Sequence, residues 1–380
     1  MPTTRDPVYL DYNATAPVRP GAVDAVLAAL ATTGNPSSVH GFGRTARRLV
    51  EEARESVAAL AGGPAAGVVF TSGGTEANAL ALTGRGRSRI LVSAVEHPSV
   101  LKAAGAEVIP VDRHGVVELA ALERLLTADR RPTLVAVMLA NNETGAVQPV
   151  AEVARVAHAH GAIVHCDAVQ AAGKIALDLA ELGVDSLALS AHKLGGPQGV
   201  GALVLADGDA DIHPILAGGG QERRRRAGTE NVPGIAGFAA AAAEARAGLA
   251  AALAQAAWRD RLERMARAAV PGLVVFSAET ARLPNTSCLA VPGMAAQTAL
   301  INLDLAGVAV SSGSACSSGK VAASHVLTAM GADALAASAL RVSLGWASRE
   351  SDVDRFVDAL ARFAAGNAGA ARGNNRSGER

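Results

Sequence analysis

Two ionisable side chains stand directly after apolar, strand-like runs of this sequence. Lys193 lies between the run 185–190 and a glycine-rich turn, and Asp167 ends the run 162–167. A lysine in a largely apolar setting can lose its proton and act as an amine nucleophile. An aspartate at the end of a nearby strand is the partner that a protonated pyridine nitrogen requires. The two residues together predict a site for pyridoxal phosphate.

A turn that could bind a phosphate lies upstream, between the strand-like run 67–71 and a helix. The segment 71–78 contains Gly74 and Thr75 at the point where the helix begins. Glycine allows the backbone to approach a ligand closely, and the first turn of a helix presents unpaired N–H groups to an anion. The alternative is an ordinary strand-to-helix turn with capping hydroxyls. The glycine spacing does not match a dinucleotide-binding fingerprint.

Two further strand ends carry polar side chains. His97 follows the strand-like run 89–93. Its imidazole could stack on a planar cofactor and move a proton, or it could simply precede a helix that starts at Pro98. Asn142 lies in the segment 141–145, where side-chain amides could hold a substrate carboxylate or a ring oxygen. The alternative for this segment is a plain turn, because asparagine is common in turns.

One of the three cysteines stands in unusual surroundings. Cys316 lies within the small, polar segment 311–320, which is expected to be exposed rather than packed in a core. An exposed thiol close to Lys320 can have a lowered pKa and act as a nucleophile. Cys288, within the apolar run 286–291, fits an inert core residue instead.

Arginines mark two more candidate positions. Arg341 stands on the strand-like run 340–343, where a guanidinium could bind a carboxylate through two hydrogen bonds or serve as a strand-edge charge. The segment 218–229 is a glycine-rich turn followed by four arginines, which fits a solvated loop or a basic loop near a phosphate. No metal site is expected at 165–167, because adjacent strand residues face opposite ways.

These residues are positioned by alternating strands and helices, which indicate an α/β domain with a mostly parallel sheet. Functional groups in such a domain gather where strands end and helices begin. A helix is predicted over 44–61, with apolar residues on one face. The predicted strands of this first part are 67–71, 89–93, 133–140, 162–167, 186–190 and 200–205.

The second part of the chain reads as a smaller α/β unit joined by one long helix. The alanine-rich stretch from Ile235 to about Ala269 has no early helix breaker and predicts that helix. Residues 365–380 lack an apolar pattern and are expected to form a disordered tail. The remaining predicted elements are strands at 273–277, 286–291 and 308–311 and a final helix at 349–363.

Composition excludes several classes of function. Lys and Arg number 35 and balance 35 Asp and Glu, and aromatic residues are only 3%, so neither nucleic acid nor a membrane surface is an expected partner. We expect no transmembrane helix and no secretory signal, because no apolar stretch of about 18 residues and no apolar N-terminal core is present. Three cysteines imply no disulfide framework, which fits a cytoplasmic enzyme.

Taken in order along the chain, these motifs resemble the cysteine desulfurases of the class V aminotransferase-like family, which includes the NifS and IscS proteins. The resemblance covers about residues 8–363. It implies fold type I of the pyridoxal phosphate enzymes, with a mostly parallel seven-stranded sheet in a large domain (16–250) and a smaller α/β domain (1–15 and 251–364). The segments that carry it are 10–17, 34–38, 71–78, 96–97, 141–145, 165–170, 190–193, 218–229 and 311–316.

The resemblance also implies a role for each matching residue. Lys193 resembles the lysine that binds the cofactor covalently, Asp167 the partner of the pyridine nitrogen, and Gln170 the partner of the ring hydroxyl. His97 resembles the histidine that stacks on the ring. The residues that match the phosphate contacts are Gly74, Thr75, Ser190, His192 and, from the second subunit of an implied homodimer, Thr229.

The implied reaction converts L-cysteine to L-alanine and leaves the sulfur on the enzyme as a persulfide. Asn142 and Arg341 resemble the contacts to the substrate carboxylate, and Cys316 resembles the persulfide-forming nucleophile. The persulfide would be delivered to a sulfur-acceptor protein, either an iron–sulfur scaffold or a thiolation carrier. Two positions depart from the family pattern: Arg224 stands where glycine is common, and Trp346 stands where an arginine is common.

Other functions fit parts of the same pattern. A selenocysteine lyase, a cysteine sulfinate desulfinase or an aminotransferase would share the fold and the cofactor. A sulfur-carrier or scaffold-binding module without turnover would share the fold alone, although Lys193 and Asp167 argue against it.

Overall fold

The structure is a computed structural model that describes residues 6–312 and 323–376, so the position of Cys316 lies outside the described residues. In chain order its strands are β1 (Val8–Tyr9), β2 (Val68–Thr71), β3 (Arg89–Ser93), β4 (Glu107–Ile109), β5 (Thr133–Ala136), β6 (Ile163–Asp167), β7 (Ser186–Ser190), β8 (Gly201–Leu205), β9 (Val274–Val275), β10 (Thr286–Ala290), β11 (Val308–Ala309), β12 (Ser311–Ser312) and β13 (Ala339–Ser343).

The α-helices of the described residues lie mostly between these strands. In chain order they are α1 (Pro20–Leu30), α2 (Gly41–Ala61), α3 (Gly74–Gly84), α4 (Pro98–Leu101), α5 (Leu119–Ala128), α6 (Val150–Ala159), α7 (Leu179–Leu182), α8 (Val232–Ala247), α9 (Leu249–Ala269), α10 (Ala296–Leu305), α11 (His325–Ala329) and α12 (Glu350–Arg376).

Seven strands form the central sheet in the order β2-β8-β7-β6-β5-β3-β4. The pairs among β4, β3, β5, β6 and β7 are parallel, whereas β8 runs antiparallel to both of its neighbours. The mostly parallel seven-stranded sheet is therefore confirmed. Because the parallel strands point the same way, the residues that follow β3, β5, β6 and β7 meet at one edge of the sheet.

Helix α2 illustrates how the sequence fixes an element. Val50 and Val57 repeat at helical spacing and are buried on the face toward the sheet, as the apolar pattern predicts. The side chain of His40 accepts a hydrogen bond from the N–H of Gly43 at 3.2 Å and so caps the first turn. The helix stops at Gly62, whose φ of 64° lies in the left-handed region that glycine adopts most easily.

The prediction of one long helix from Ile235 to Ala269 is wrong. The chain forms α8 and α9 instead, which meet at Gly248 with a bend of 65°. Glycine is a poor helix former, and the alanine-rich pattern on both sides hides the break from a periodicity argument. The second unexpected feature is β4, a three-residue edge strand too short to leave a sequence signal.

The second part of the chain forms two smaller sheets. Strands β12, β13, β10 and β9 make an antiparallel sheet, and β1 pairs in parallel with β11. Val8 and Leu10 are buried in a cluster with residues of the C-terminal elements such as Phe356. A separate, larger buried cluster packs the central sheet. A division into 16–250 and 1–15 with 251–364 stays a prediction.

The last helix is longer than the pattern indicates. It continues to Arg376 and so takes in residues 365–376, for which the sequence analysis expects disorder. The alanines of that segment favour continuation of a helix even without an apolar face. Among the described residues, no single helix is both long and apolar enough to cross a membrane, and α8 with α9 meets that test only as a bent pair.

Candidate active site

A cavity of about 380 Å³ opens at the carboxyl ends of the parallel strands of the central sheet. It collects side chains that are far apart in the sequence. Thr229 is not among its lining residues, and Cys316 lies outside the described residues. The residues singled out from the sequence that line it are Gly74, Thr75, His97, Asn142, Asp167, Gln170, Ser190, His192, Lys193 and Arg341.

Lys193 reaches this cavity from the end of β7. The strand stops at Ser190, and a short 3₁₀ turn carries the chain through Lys193. The Nζ atom donates hydrogen bonds to the main-chain carbonyls of Asn13 at 2.7 Å and Ala14 at 2.8 Å. The N-terminal segment of the chain therefore holds the amine at the carboxyl-terminal edge of the central sheet.

Asp167 ends the neighbouring strand β6 and points to the same edge. Its Oδ2 accepts a hydrogen bond from Asn78 Nδ2 at 2.7 Å, and its Oδ1 accepts one from the N–H of Val169 at 3.0 Å. Strand alternation turns Cys166 to the opposite face, where it packs in the apolar core and burial raises the pKa of its thiol well above the usual range. Within 6–312 and 323–376, no group of three or more His, Cys, Asp or Glu side chains is arranged to hold a metal ion.

The turn before α3 has the form of an anion site. A Cβ atom at Gly74 would lie 2.8 Å from Val169 Cγ2, so the backbone here is as close to the β6 loop as glycine allows. Glu76 in the first turn of α3 holds the preceding turn, because its carboxylate accepts a hydrogen bond from the N–H of Ser72 at 2.7 Å. Gly74 and Thr75, at this end of the helix, line the cavity, and the first turn of a helix has N–H groups that can bind an anion.

Two histidines border the same space in neutral form. Burial and the charge of Lys193 lower the pKa of His192 to about 4. Burial is also the largest cause of the lowered pKa of His97. The Nδ1 atom of His97 accepts a hydrogen bond from the N–H of Ser99 at 3.1 Å, so its ring is fixed at the start of α4.

Arg341 approaches from the smaller sheet. Its Nη1 donates to the carbonyl of Asn142 at 3.1 Å, and its Nη2 donates to Asp11 Oδ1 at 2.7 Å. Its Nε is buried and has no hydrogen-bond partner among the described residues. A buried guanidinium with an unused donor is suited to a carboxylate ligand.

Asn13, which was not singled out from the sequence, connects many parts of the site. Its carbonyl accepts from Gln170 Nε2 at 2.9 Å as well as from Lys193, and its Oδ1 accepts from Lys174 Nζ at 2.8 Å. Lys174 also donates to Gln170 Oε1 at 2.7 Å, and burial lowers the pKa of Lys174 well below its usual range. Asn13 lies in the segment 10–17 and Lys174 is one of only four lysines, which are the signals that could have found them.

The donor set fits pyridoxal phosphate. The cavity offers a lysine amine for its aldehyde, a carboxylate for its ring nitrogen, and a helix N-terminus with nearby hydroxyls for its phosphate. Gln170 is held with its Oε1 on Lys174, so one Nε2 hydrogen remains to donate to a ring oxygen.

The loop that contains Thr229 contacts the first turn of α3, but Thr229 itself does not line the cavity. Arg226 of this loop donates to Glu76 Oε1 at 2.9 Å, which ties the loop to the first turn of α3. Glu222, Arg223 and Arg224 precede it with φ values of 46°, 55° and 67°. The buried carboxylate of Glu222 holds this turn through paired hydrogen bonds from Arg54 at 2.9 Å each.

Comparison with known proteins gives consistent results. The family model for aminotransferase class-V matches residues 8–356. A cysteine desulfurase of Cereibacter sphaeroides is 43% identical over 93% of this chain and 94% of that protein, and a cysteine desulfurase IscS of Dictyoglomus turgidum is 39% identical over 94% of both. The crystal structure of a NifS-like protein from Rickettsia africae is 35% identical, with a TM-score of 0.87 over 94% of this chain and 99% of that one. The chain belongs to the aminotransferase class-V family.

Proposed function

We propose that this protein is a pyridoxal phosphate-dependent cysteine desulfurase, which converts L-cysteine to L-alanine and retains the sulfur as a persulfide on Cys316. The observation that carries the proposal is that the amine of Lys193 and the carboxylate of Asp167 line one cavity together with the N-terminus of α3 at Gly74 and Thr75. Relatives with more than a third of residues identical are named cysteine desulfurases, which supports the same activity.

The cofactor would be held by residues from several elements. Lys193 would bind it covalently, Asp167 would pair with its ring nitrogen, and Gln170 would donate to its ring hydroxyl. His97 would stack on the ring. Once bound, pyridoxal phosphate withdraws electrons from the α-carbon of an attached amino acid. The phosphate would be bound by Gly74, Thr75, Ser190 and His192, with Thr229 from a second copy of the chain.

Substrate orientation falls to Arg341 and Asn142. The unused Nε donor of Arg341 and the charge of its guanidinium suit the carboxylate of L-cysteine. Asp11 fixes the guanidinium from behind through Nη2, so the side chain loses little entropy on binding.

Lys193 and His97 are the groups that would transfer protons in the reaction. The amine of Lys193 lines the cavity, and when it is not bound to the cofactor it would act as the base that takes the α-proton of the substrate and later returns it. Burial lowers the pKa of His97, which favours its neutral form, and its Nδ1 accepts from the N–H of Ser99, so Nε2 is the ring atom that would move a proton to the substrate.

The described residues on either side of the segment that contains Cys316 contact residues that line the cavity or adjoin it. Ser311, just before it, pairs in the sheet with Arg341. Ser324, just after it, donates through its hydroxyl to the buried carboxylate of Glu143 in the turn that presents Asn142. Four residues lead from Ser312 to Cys316, which is a reach of about 14 Å at most.

Sulfur transfer is then a displacement at sulfur. The thiolate of Cys316 attacks the sulfur of the bound cysteine, an S–S bond forms, and the Cβ–S bond breaks. The electron pair of the broken bond stays with the carbon fragment, which takes up a proton and leaves as alanine. Dividing the reaction at a covalent sulfur species is nucleophilic catalysis.

We further propose a homodimer that works in the cytoplasm. The placement of Thr229 outside the cavity of its own chain leaves it available to a second copy. The exposed apolar side chains of Val39 and Phe42, 89% and 68% exposed, are the kind of surface that a second copy would cover. A reducing compartment keeps Cys316 as a thiol, ready to pass sulfur to an iron–sulfur scaffold or thiolation carrier.

The test is an absorbance spectrum of the purified protein with pyridoxal phosphate, before and after L-cysteine, with alanine and sulfide assayed in a thiol reductant. The proposal expects a cofactor band that changes on adding cysteine, together with alanine. A protein that binds no pyridoxal phosphate, or that consumes cysteine only when a keto acid is added as amino acceptor, contradicts it. Activity on cysteine sulfinate that survives Cys316→Ser would favour a desulfinase instead.

A further inference from the structure

His165 is a fully buried histidine on the same face of β6 as Asp167, two residues along the strand. Burial lowers the pKa of its imidazole to about 3. The ring is therefore neutral at physiological pH, with one nitrogen that donates and one that accepts. Which nitrogen donates is decided by its neighbours.

The hydrogen bonds around His165 form a chain that ends at Asp167. Ser186 Oγ lies 2.9 Å from Nδ1 of His165, and Asn78 Oδ1 lies 3.0 Å from its Nε2. The other end of the Asn78 amide, Nδ2, lies 2.7 Å from Asp167 Oδ2. All four side chains are buried.

The donors in this chain can have only one consistent order. A carboxylate can only accept, so the Nδ2 of Asn78 must face Asp167 and its Oδ1 must face His165. Asn78 Oδ1 then needs a donor, which places the proton of His165 on Nε2. Nδ1 is left as the acceptor for the hydroxyl of Ser186. The acceptor character of Asp167 thus fixes the tautomer of a histidine that it does not touch.

The same amide reaches the other wall of the cavity. The second N–H of Asn78 donates to Ser99 Oγ at 2.9 Å. Ser99 Oγ lies 2.8 Å from Nδ1 of His97, which already accepts from the N–H of Ser99. The hydroxyl proton of Ser99 therefore points to Nδ1, and neutral His97 bears its own proton on Nε2.

We propose that Asn78 is a positioning residue for the cofactor. Its amide fixes the orientation of Asp167, the partner of the ring nitrogen, and through Ser99 it fixes the tautomer of His97, which stacks on the ring. The proposal rests on the proposed function, because it takes Asp167 and His97 as cofactor contacts. His165, itself hydrogen-bonded to Ser186, donates to Asn78 Oδ1 and so keeps the amide of Asn78 from flipping.

The chain has a direct consequence for cofactor affinity. A hydrogen bond to a charged group contributes more than a neutral one, and a carboxylate with one fixed donor removed can rotate. Asn78→Ala should therefore weaken binding of pyridoxal phosphate roughly ten- to one-hundredfold. It should also shift the pH at which the absorbance of the bound cofactor changes, because the partner of the ring nitrogen is no longer fixed.

The first test compares Asn78→Ala with Asn302→Ala. Asn302 is also a helical asparagine, but it is exposed, and its side chain donates to the carbonyl of Thr298 in its own helix at 2.8 Å. Affinity for pyridoxal phosphate and the pH profile of cofactor absorbance are measured for both variants and the wild type, with circular dichroism to confirm folding. Loss in Asn78→Ala alone supports the inference. An affinity of Asn78→Ala for pyridoxal phosphate within twofold of the wild type, with an unchanged pH profile of cofactor absorbance, overturns the inference. In that case, cofactor binding and turnover by the wild type still support the proposed function.

The second test needs no cofactor and no variant. The imidazole ¹⁵N shifts of histidine-labelled wild-type protein report which ring nitrogen carries the proton. The inference expects His165 to be neutral with its proton on Nε2 from pH 6 to pH 8. A proton on Nδ1, or a charged ring in this range, overturns the donor order even if Asn78→Ala fails to fold. A wild type that binds no pyridoxal phosphate would contradict the proposed function without changing this result.

Discussion

The amine of Lys193 donates a hydrogen bond to the main-chain carbonyl of Asn13 at 2.7 Å, although the two residues are 180 positions apart in the sequence. Asn13 follows β1, which pairs with β11 of the second half of the chain. The side-chain amide of Asn13 in turn donates to Thr286 Oγ1 of β10 at 2.9 Å. One residue thus connects the nucleophilic amine on the central sheet with the smaller sheet, so the site is formed only when both halves have folded.

The first prediction concerns Lys193 itself. Lys193→Ala removes the only amine that can bind the cofactor covalently in this account, so alanine formation from cysteine should fall by about 10³-fold or more. Lys102→Ala is the matched control, because Lys102 is exposed and away from the cavity. The measurement is initial-rate alanine production with saturating pyridoxal phosphate. Comparable losses in both variants, or none in Lys193→Ala, would show that another group carries the reaction.

A second prediction separates binding from chemistry at Arg341. Arg341→Lys keeps the charge but loses the planar set of donors, so KM for L-cysteine should rise roughly tenfold or more, with a smaller change in kcat. Arg282→Lys is the control, because the side chain of Arg282 is only 5% exposed and pairs with Glu263 at 2.6 Å, but does not line the cavity. An unchanged KM in Arg341→Lys would remove Arg341 from the carboxylate site.

The third prediction follows from a buried acid beside His97. Glu96 is fully buried, and its Oε2 has no hydrogen-bond partner within the described ranges. Burial raises the pKa of Glu96 from 4.5 to about 8. The folded protein keeps this proton up to about pH 8, whereas the unfolded chain loses it near pH 4.5. The free energy of unfolding contributed by this group therefore falls as pH rises through that window.

Glu96→Gln removes that dependence. Relative to the wild type, the variant should gain about 1.4 kcal/mol in free energy of unfolding for each pH unit between pH 5 and pH 8. Urea unfolding at several pH values measures the difference, and exposed Glu123→Gln serves as the control. A difference from the wild type that does not vary with pH would mean that Glu96 is ionised in the folded protein.

The fourth prediction concerns backbone strain at Arg224. Its φ of 67° lies in the left-handed region, which costs a non-glycine residue about 1–2 kcal/mol. Glycine relieves this cost but gains freedom in the unfolded chain, so Arg224→Gly should raise the free energy of unfolding by about 1 kcal/mol. Arg130→Gly, at an exposed position without a positive φ, should lower it. Equal effects at both positions would contradict the strain argument.

The sequence predicted most of this site because its residues follow strands. His97, Asp167 and Lys193 each stand after an apolar run, and a parallel sheet brings such positions to one edge without further information. Strands β3 and β7 have the bounds that the pattern predicts, since each is a short apolar run between polar residues.

What the sequence could not predict depends on contacts between distant residues. Asn78 and Asn13 look like ordinary polar residues until the fold places them against Asp167 and Lys193, 89 and 180 positions away. The break in the helix at Gly248 could not be predicted from the sequence for a different reason. Alanine on both sides gives no apolar periodicity to interrupt, and the two halves pack against different elements, α8 against α1 and α2 and α9 against α12.

The central claim is that sulfur from cysteine becomes bound to one particular thiol. Mass spectrometry of peptides from protein incubated with pyridoxal phosphate and L-cysteine, without reductant, tests it most directly. The account predicts that Cys316 gains the mass of one sulfur atom and that Cys316→Ser binds the cofactor but releases no sulfide. Cys166 and Cys288, which are buried, should stay unmodified. Alanine formation with no added sulfur on Cys316, or full activity in Cys316→Ser, would contradict the account.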